Sequence, residues 1–188
     1  CTGLTHAPML PATVLMTGCY YQMFEGCTNL IQAPELPATT LALRCYYYMF
    51  KGCTSLTQAP ELPATTLASQ CYQGMFCTCT SLTQEPVLPA TTLTNSCDES
   101  MFKSCTSLTQ APELPAATLT KYCYNGMFNG CVKLNYVKCL ATNITMPGCV
   151  TYWLYGVSST GDFYTPASTN WSSGVNGIPS GWARHNIT

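Results

Sequence analysis

Cysteine is the most reactive residue type that this 188-residue chain uses heavily, since the chain contains fourteen cysteines. Twelve of them form two columns in which successive members are 26 residues apart. The columns are Cys1, Cys27, Cys53, Cys79, Cys105 and Cys131, and Cys19, Cys45, Cys71, Cys97, Cys123 and Cys149. Cys77 and Cys139 are additional. Thiols spaced in this way can be buried apolar side chains, halves of disulfides or metal ligands.

The spacing favours buried thiols over the other two roles. Each column recurs where a small apolar side chain is needed, which suits cysteine. Neighbouring copies about 5 Å apart would lie within the Cα range of a disulfide, but side chains that point the same way do not give its dihedral angle. A bridge between Cys71 and Cys79 remains an alternative. The Cys77-x-Cys79 pair lacks a second pair or clustered histidines, so no metal site is expected.

A catalytic cysteine is not expected either. The only histidines, His6 and His185, are near the two ends of the chain, whereas a cysteine nucleophile needs a base beside it in one specific geometry. Equivalent thiols in a column offer no such singular position. The chain also lacks a G-x-S-x-G sequence and a glycine-rich phosphate loop. We therefore predict a protein that is not an enzyme and that has no cofactor.

The cysteine columns belong to a 26-residue repeat that extends through most of the chain. Its pattern is C-T-x-L-T-Q-A-P-E-L-P-A-T-T-L-x-x-x-C-Y-x-x-M-F-x-G. Two further elements keep the same period: Met23-Phe24, Met49-Phe50, Met75-Phe76, Met101-Phe102 and Met127-Phe128, and Pro11, Pro37, Pro63, Pro89 and Pro115. Because the unit recurs almost unchanged, its residues are structural before they are anything else.

One unit predicts a strand followed by a helix. Residues 56–59 predict a short strand that ends before Pro60, because proline cannot donate a ladder hydrogen bond. Thr65 or Thr66 is predicted to cap a short helix. The inward residues of this helix are Leu67, Cys71, Met75 and Phe76. A glycine, such as Gly52 in the preceding unit, ends it.

One unit alone cannot bury its apolar residues, whereas stacked units share a continuous core. We therefore predict an α/β solenoid: a leucine-rich-repeat-like, right-handed coil with short parallel strands on one side, short helices on the other and a 26-residue period. Residues 1–156 are predicted to form six units. Residues 157–188 are predicted to form an irregular C-terminal cap with a strand near 162–165, because three tryptophans and Phe163 provide bulky cover. The amino end shows no comparable cap, which suggests that further chain precedes it.

The segment C-Y-x-x-M-F-x-G-C-T-x-L-x-x-A-P resembles the leucine-rich repeats of BspA-type surface proteins, whose pattern is I-G-x-x-A-F-x-G-C-x-x-L-x-x-I-x-I-P. Phe50, Gly52, Cys53, Leu56 and Pro63 match this pattern directly, and Cys45, Met49 and Ala59 take its apolar positions. The resemblance covers residues 1 to about 156. It implies a secreted or surface-attached protein that binds host proteins, other bacteria or matrix. A phage fibre is the alternative location that it implies.

Composition disfavours two classes of partner. Charged residues make up only 8% of the chain and the net charge is −1, whereas ordinary domains contain roughly 25% charged residues. Nucleic acid is therefore not an expected partner. The sequence also lacks a run of about 18 apolar residues, so membrane insertion is not expected.

Two surfaces are candidates for ligand binding. Variation between units gathers on the outer side of the predicted helices, where tyrosine and small polar residues resemble the composition of binding loops. The candidate residues there are Tyr21, Tyr47, Tyr48, Gln73 and Tyr122. The strand side is regular instead, with predicted ladders of Gln32, Thr57, Gln58, Thr83, Gln84, Thr109 and Gln110. The plainer alternatives are an unconstrained wet surface and ladders that only hydrogen-bond with one another.

These features predict an extracellular or cell-surface adhesion module that binds a protein or a glycan through its repeat surface. The alternative is a structural subunit of a fibre or filament, in a cell appendage or a phage virion. Near-identical units and an open amino end also suggest self-association end to end, because stacked edges can continue between chains.

Overall fold

The computed structural model describes residues 3–187, so the predictions for Cys1 lie outside the described residues. In this range the strands are β1 (Tyr136–Lys138), β2 (Gly161–Pro166) and β3 (Trp182–Ile187). They form one parallel sheet in the order β1-β2-β3. The same range contains no helix, and hence none that could span a membrane.

The prediction of an α/β, leucine-rich-repeat-like solenoid with short helices is wrong. Residues 69–78, which include most of a predicted helix, form turns and bends instead. The backbone has a positive φ at every fourth residue, here at Gln70, Gly74 and Thr78. A residue in the left-handed region cannot continue a right-handed helix. We term these segments turn ribbons, and they are residues 18–26, 44–52, 70–78, 96–104, 122–130 and 148–156.

Backbone hydrogen bonds connect each turn ribbon to the next. Alternate N–H groups donate to carbonyls 25 residues later, as from Tyr46 to Cys71 at 3.0 Å and from Tyr48 to Gln73 at 2.9 Å. The intervening N–H groups donate three residues back, as from Tyr47 to Arg44 at 3.3 Å. Each ribbon therefore offers carbonyls to the unit before it and N–H groups to the unit after it. Successive 26-residue units, here termed coils, thus stack in translation.

The opposite side of each coil has little strand structure. Isolated parallel bridges, such as Gln58–Gln84 and Thr40–Thr66, connect neighbouring coils there. The strand predicted at residues 56–59 is reduced to one such bridge, because Pro60 follows too soon for a ladder to extend. In the sixth coil Lys138 stands where the other coils have this proline. A strand, β1, forms only in this coil.

The interior consists of the repeated columns. Six residues predicted to form the core of one unit are buried, namely Leu56, Ala59, Leu62, Cys71, Met75 and Phe76. The phenylalanine rings of successive coils stack with centroids 5.5 to 5.6 Å apart, as in the pair Phe24 and Phe50. Thiols of the first cysteine column donate to phenylalanine carbonyls, as from Cys53 to Phe24 at 3.1 Å. Repetition therefore supplies both the packing and the hydrogen bonds of the core.

The segment after residue 156 covers the last coil. Trp153, which stands in the methionine column, is fully buried and stacks on Trp171 with ring centroids 5.1 Å apart. Phe163 of β2 meets the same ring edge-on at 5.8 Å. The indole N–H of Trp153 donates to the Gly177 carbonyl, and the Tyr152 N–H donates to the Asn176 side chain. Bulky aromatic residues thus close the core at this end.

Candidate functional site

The described cysteines are free thiols, and all of them except Cys19 are buried. Burial raises the pKa of the Cys45 and Cys139 thiols to about 12, which keeps them protonated and unreactive at neutral pH. This agrees with the interpretation of the columns as apolar core. Cys139 occupies the inward leucine column, opposite Leu114. Residues 3–187 contain no group of three potential metal ligands.

Three tyrosines predicted to bind a ligand lie together on the first two turn ribbons. The rings of Tyr21 and Tyr47 stack at 4.8 Å, and Tyr48 meets Tyr47 edge-on at 4.5 Å. We term Tyr21, Tyr47 and Tyr48 the tyrosine patch. Arg44 lies 5.7 Å from the Tyr47 ring centroid, and Lys51 lies 4.9 Å from that of Tyr48. The patch therefore combines fixed aromatic surface with two cations at its edges.

The backbone and the next coil fix the Tyr48 ring. Tyr48 has a φ of 51°, and its ring lies over Gly74 in the equivalent position of the next coil. A Cβ atom built on Gly74 would lie 1.8 Å from that ring. Lys51 also forms an ion pair with Glu25, at 2.8 Å. The patch is thus pre-organised, since its side chains already have defined neighbours.

The other two predicted residues of this surface do not join the patch. Gln73 lies in the next ribbon and is half-buried, and its Oε1 has no hydrogen-bond partner among the described residues. Tyr122 is 40% exposed but lies three coils from Tyr48, where its ring covers Gly148. Lys121 lies 5.1 Å from the Tyr122 ring centroid. Tyr122 is therefore a separate aromatic site.

The regular strand side is exposed throughout, as its polar sequence predicts, and we term it the ladder face. Its residues are Gln32, Thr57, Gln58, Thr83, Gln84, Thr109 and Gln110. Part of this face is engaged internally, because the Thr83 hydroxyl donates to the Thr57 carbonyl at 3.2 Å. The Gln110 amide similarly donates to Glu85 at 2.8 Å. Between the first coils an open groove runs beside this face, lined in part by Gln32, Glu35, Gln58 and Glu61.

The ladder face continues into an aromatic cluster that the sequence reasoning missed. The rings of Tyr136 and Tyr164 lie 5.2 Å apart, and His185 stacks on Tyr164 at 4.5 Å. His185 Nε2 lies 2.6 Å from Asp162 Oδ1. Tyr136 pairs with Gln110, which precedes it by 26 residues. The repeat period alone would have placed Tyr136 on this face.

A buried carboxyl interrupts the internal tyrosine column. Tyr20, Tyr46 and Tyr72 stack at 5.8 to 5.9 Å, and Asp98 occupies the next position, before Tyr124. Asp98 is 3% exposed and borders a cavity of about 10 Å³, enough for roughly one water molecule. The Cys97 thiol donates to Asp98 Oδ2 at 3.3 Å, whereas Oδ1 has no hydrogen-bond partner in the described range.

The carboxyl of Asp98 is therefore poorly compensated. Loss of solvent raises its pKa from 3.8 to about 7, and the thiol hydrogen bond has a smaller, opposite effect. No comparable group lies in the neighbouring coils, because tyrosine occupies the same position at residues 72 and 124. This singular position was not recognised from the sequence, although a carboxylate in an apolar column is a readable signal.

Comparison with protein-family models, with curated proteins and with solved structures gives no match for this chain. The resemblance to BspA-type repeats accordingly stays a prediction.

Proposed function

We propose that this chain is a non-enzymatic binding module of the cell surface or extracellular space, which holds a protein or glycan ligand on its repeat surface. The tyrosine patch is the observation that supports this proposal best. Its rings are partly exposed and are held by stacking and by the next coil. A ligand that binds there costs little side-chain entropy, because the rings are ordered before it arrives.

The surroundings of the patch support recognition of polar ligands. Tyrosine hydroxyls, the Arg44 guanidinium and the Lys51 ammonium provide hydrogen-bond donors along one edge of the stack. Arg44 also donates to the Gln70 side chain at 2.6 Å, which restricts its guanidinium. The ladder face is the weaker candidate, since Thr83 and Gln110 already use their donors within the array.

A comparison of two double variants tests the proposal. Glycan-array and pull-down experiments with the whole chain identify a ligand, whose affinity is then measured for Tyr21→Ala/Tyr47→Ala and for Thr57→Ala/Gln58→Ala. Loss of two aromatic contacts is expected to weaken binding at least ~10-fold, whereas the ladder variant is expected to stay within about twofold of the parent.

Two controls make the outcome specific. Tyr122→Ala removes a similarly exposed ring far from the patch and is expected to leave affinity unchanged. Denaturant midpoints show whether each variant remains folded. Binding lost only in the ladder variant would place the ligand on the ladder face instead, and binding unaffected by both double variants would reject both surfaces.

A further inference from the structure

The amino-terminal end of the stack is an uncovered section of the core. Met23 is 46% exposed, whereas Met49 in the next coil is fully buried. Cys19 is exposed, and its equivalent Cys45 is buried. The rim is apolar as well, because Met9 stands where the next two coils have Glu35 and Glu61. Exposed apolar surface that continues a core is typical of a contact site.

The backbone of this edge offers only acceptors. In the second coil, the carbonyls at every other position from Leu43 to Lys51 accept hydrogen bonds from the first coil. The equivalent carbonyls of the first coil receive none from the described residues, and they belong to Thr17, Cys19, Tyr21, Met23 and Glu25. All N–H groups from Gly18 to Gly26 already donate within the array. A partner must therefore bring a row of free donors.

This polarity excludes two simple partners. A second copy that met this face with its own amino-terminal face would oppose carbonyls to carbonyls. The donor edge of a second copy lies on its sixth coil, where Asn176 and Trp171 of the carboxyl-terminal segment cover it. The outermost strand, β3, presents polar residues such as Arg184 and Asn186 instead of an apolar surface.

We propose that the amino-terminal face is a docking site for one further coil of the same 26-residue pattern, contributed by a polypeptide whose donor edge is free. Such a coil presents alternate N–H groups at the spacing of the open carbonyls. Its inward cysteine, methionine and phenylalanine would continue the columns that end at Cys19, Met23 and Phe24. The recognition is thus a continuation of the array, by backbone pairing and apolar contact together.

The test adds one coil to the whole chain. One variant carries a copy of residues 27–52 immediately before residue 1, which reproduces the natural Gly-Cys junction between coils. A matched variant carries the same residues in scrambled order. Alkylation of Cys19 under native conditions, followed by mass spectrometry, reports whether the face is covered. We expect labelling of Cys19 to slow at least ~10-fold with the ordered copy, since a docked coil buries this column position, and to stay fast with the scrambled copy.

The remaining thiols show whether the array is intact. Those of coils two to six must stay protected in every variant, as their burial requires. With the array intact, equal labelling of Cys19 in the parent and in the ordered variant would overturn the proposal. Concentration-dependent dimerisation of the parent chain that protects Cys19 would overturn it too, because the occupant would then be a second copy.

Discussion

Asp98 shows how one residue can set the pH response of a chain with few charges. Its carboxyl is protonated more readily in the folded chain, where its pKa is about 7, than in the unfolded chain, where 3.8 applies. The folded state therefore binds more protons between these values, and stability falls as pH rises. The loss is on the order of 4 kcal/mol from pH 4 to pH 7, with little further change from this group above that. Denaturant unfolding at a series of pH values measures it.

Substitutions of Asp98 separate its ionisation from its shape. Asp98→Asn removes the titration, so the fall in stability between pH 4 and pH 7 is expected to shrink markedly. Asp98→Tyr also restores the aromatic column beside Tyr72 and Tyr124, and it is expected to be more stable than the parent by about 2–4 kcal/mol at pH 8. An unchanged pH profile in Asp98→Asn would assign the pH response to other groups.

At the scale of elements, the turn ribbon explains why a helix was predicted. Inward residues recur every four positions, as in Cys45, Met49 and Cys53. An α-helix turns every 3.6 residues, so its inward face drifts by about 40° at each such step. A ribbon of four-residue turns keeps the spacing without drift. The glycines at 126 and 130, four apart, were a readable sign of repeated positive φ.

The ribbon predicts a stabilising change at its non-glycine left-handed positions. Ser104 has a φ of 60°, and the equivalent residue of the next coil is Gly130 with a φ of 78°. Ser104→Gly is expected to stabilise the chain by about 1 kcal/mol, because glycine adopts this conformation without steric penalty. Ser107→Gly, in the same region but outside the positive-φ positions, is the matched control and is expected to destabilise slightly. Denaturant midpoints decide, and equal effects of the two substitutions would contradict the argument.

At the scale of the whole molecule, the sequence predicts composition and order better than local geometry. The 26-residue period correctly identifies the core residues of each coil, from Leu56 to Phe76 in one unit. It also indicates which polar residues face outward, such as Thr57 and Gln58. It does not distinguish a helix from a ribbon of turns, because both bury the same residues. Nor does it place His185 beside Asp162, since β3 lies outside the repeat.

The stack also predicts how the molecule responds to damage at one end. Each coil contacts only its neighbours, so a local loss is expected to spread weakly along the array. Trp171 is 7% exposed, stacks on Trp153 and donates to Thr165 Oγ1 at 2.9 Å. Trp171→Ala is expected to cost about 3–5 kcal/mol. Hydrogen exchange should therefore accelerate in the turn ribbon 148–156 and change little in the ribbon 18–26.

The exposed Tyr155, 54% accessible in the same ribbon as Trp153, provides the matched control for this substitution. Tyr155→Ala is expected to change stability by less than about 0.5 kcal/mol, as is usual at the surface. Uniform acceleration of exchange across all ribbons in Trp171→Ala would mean that the coils unfold as one cooperative unit. Unchanged exchange in the ribbon 148–156 would mean that the residues after 156 cover the last coil without stabilising it. Either result would contradict a stack held together by contacts between neighbouring coils.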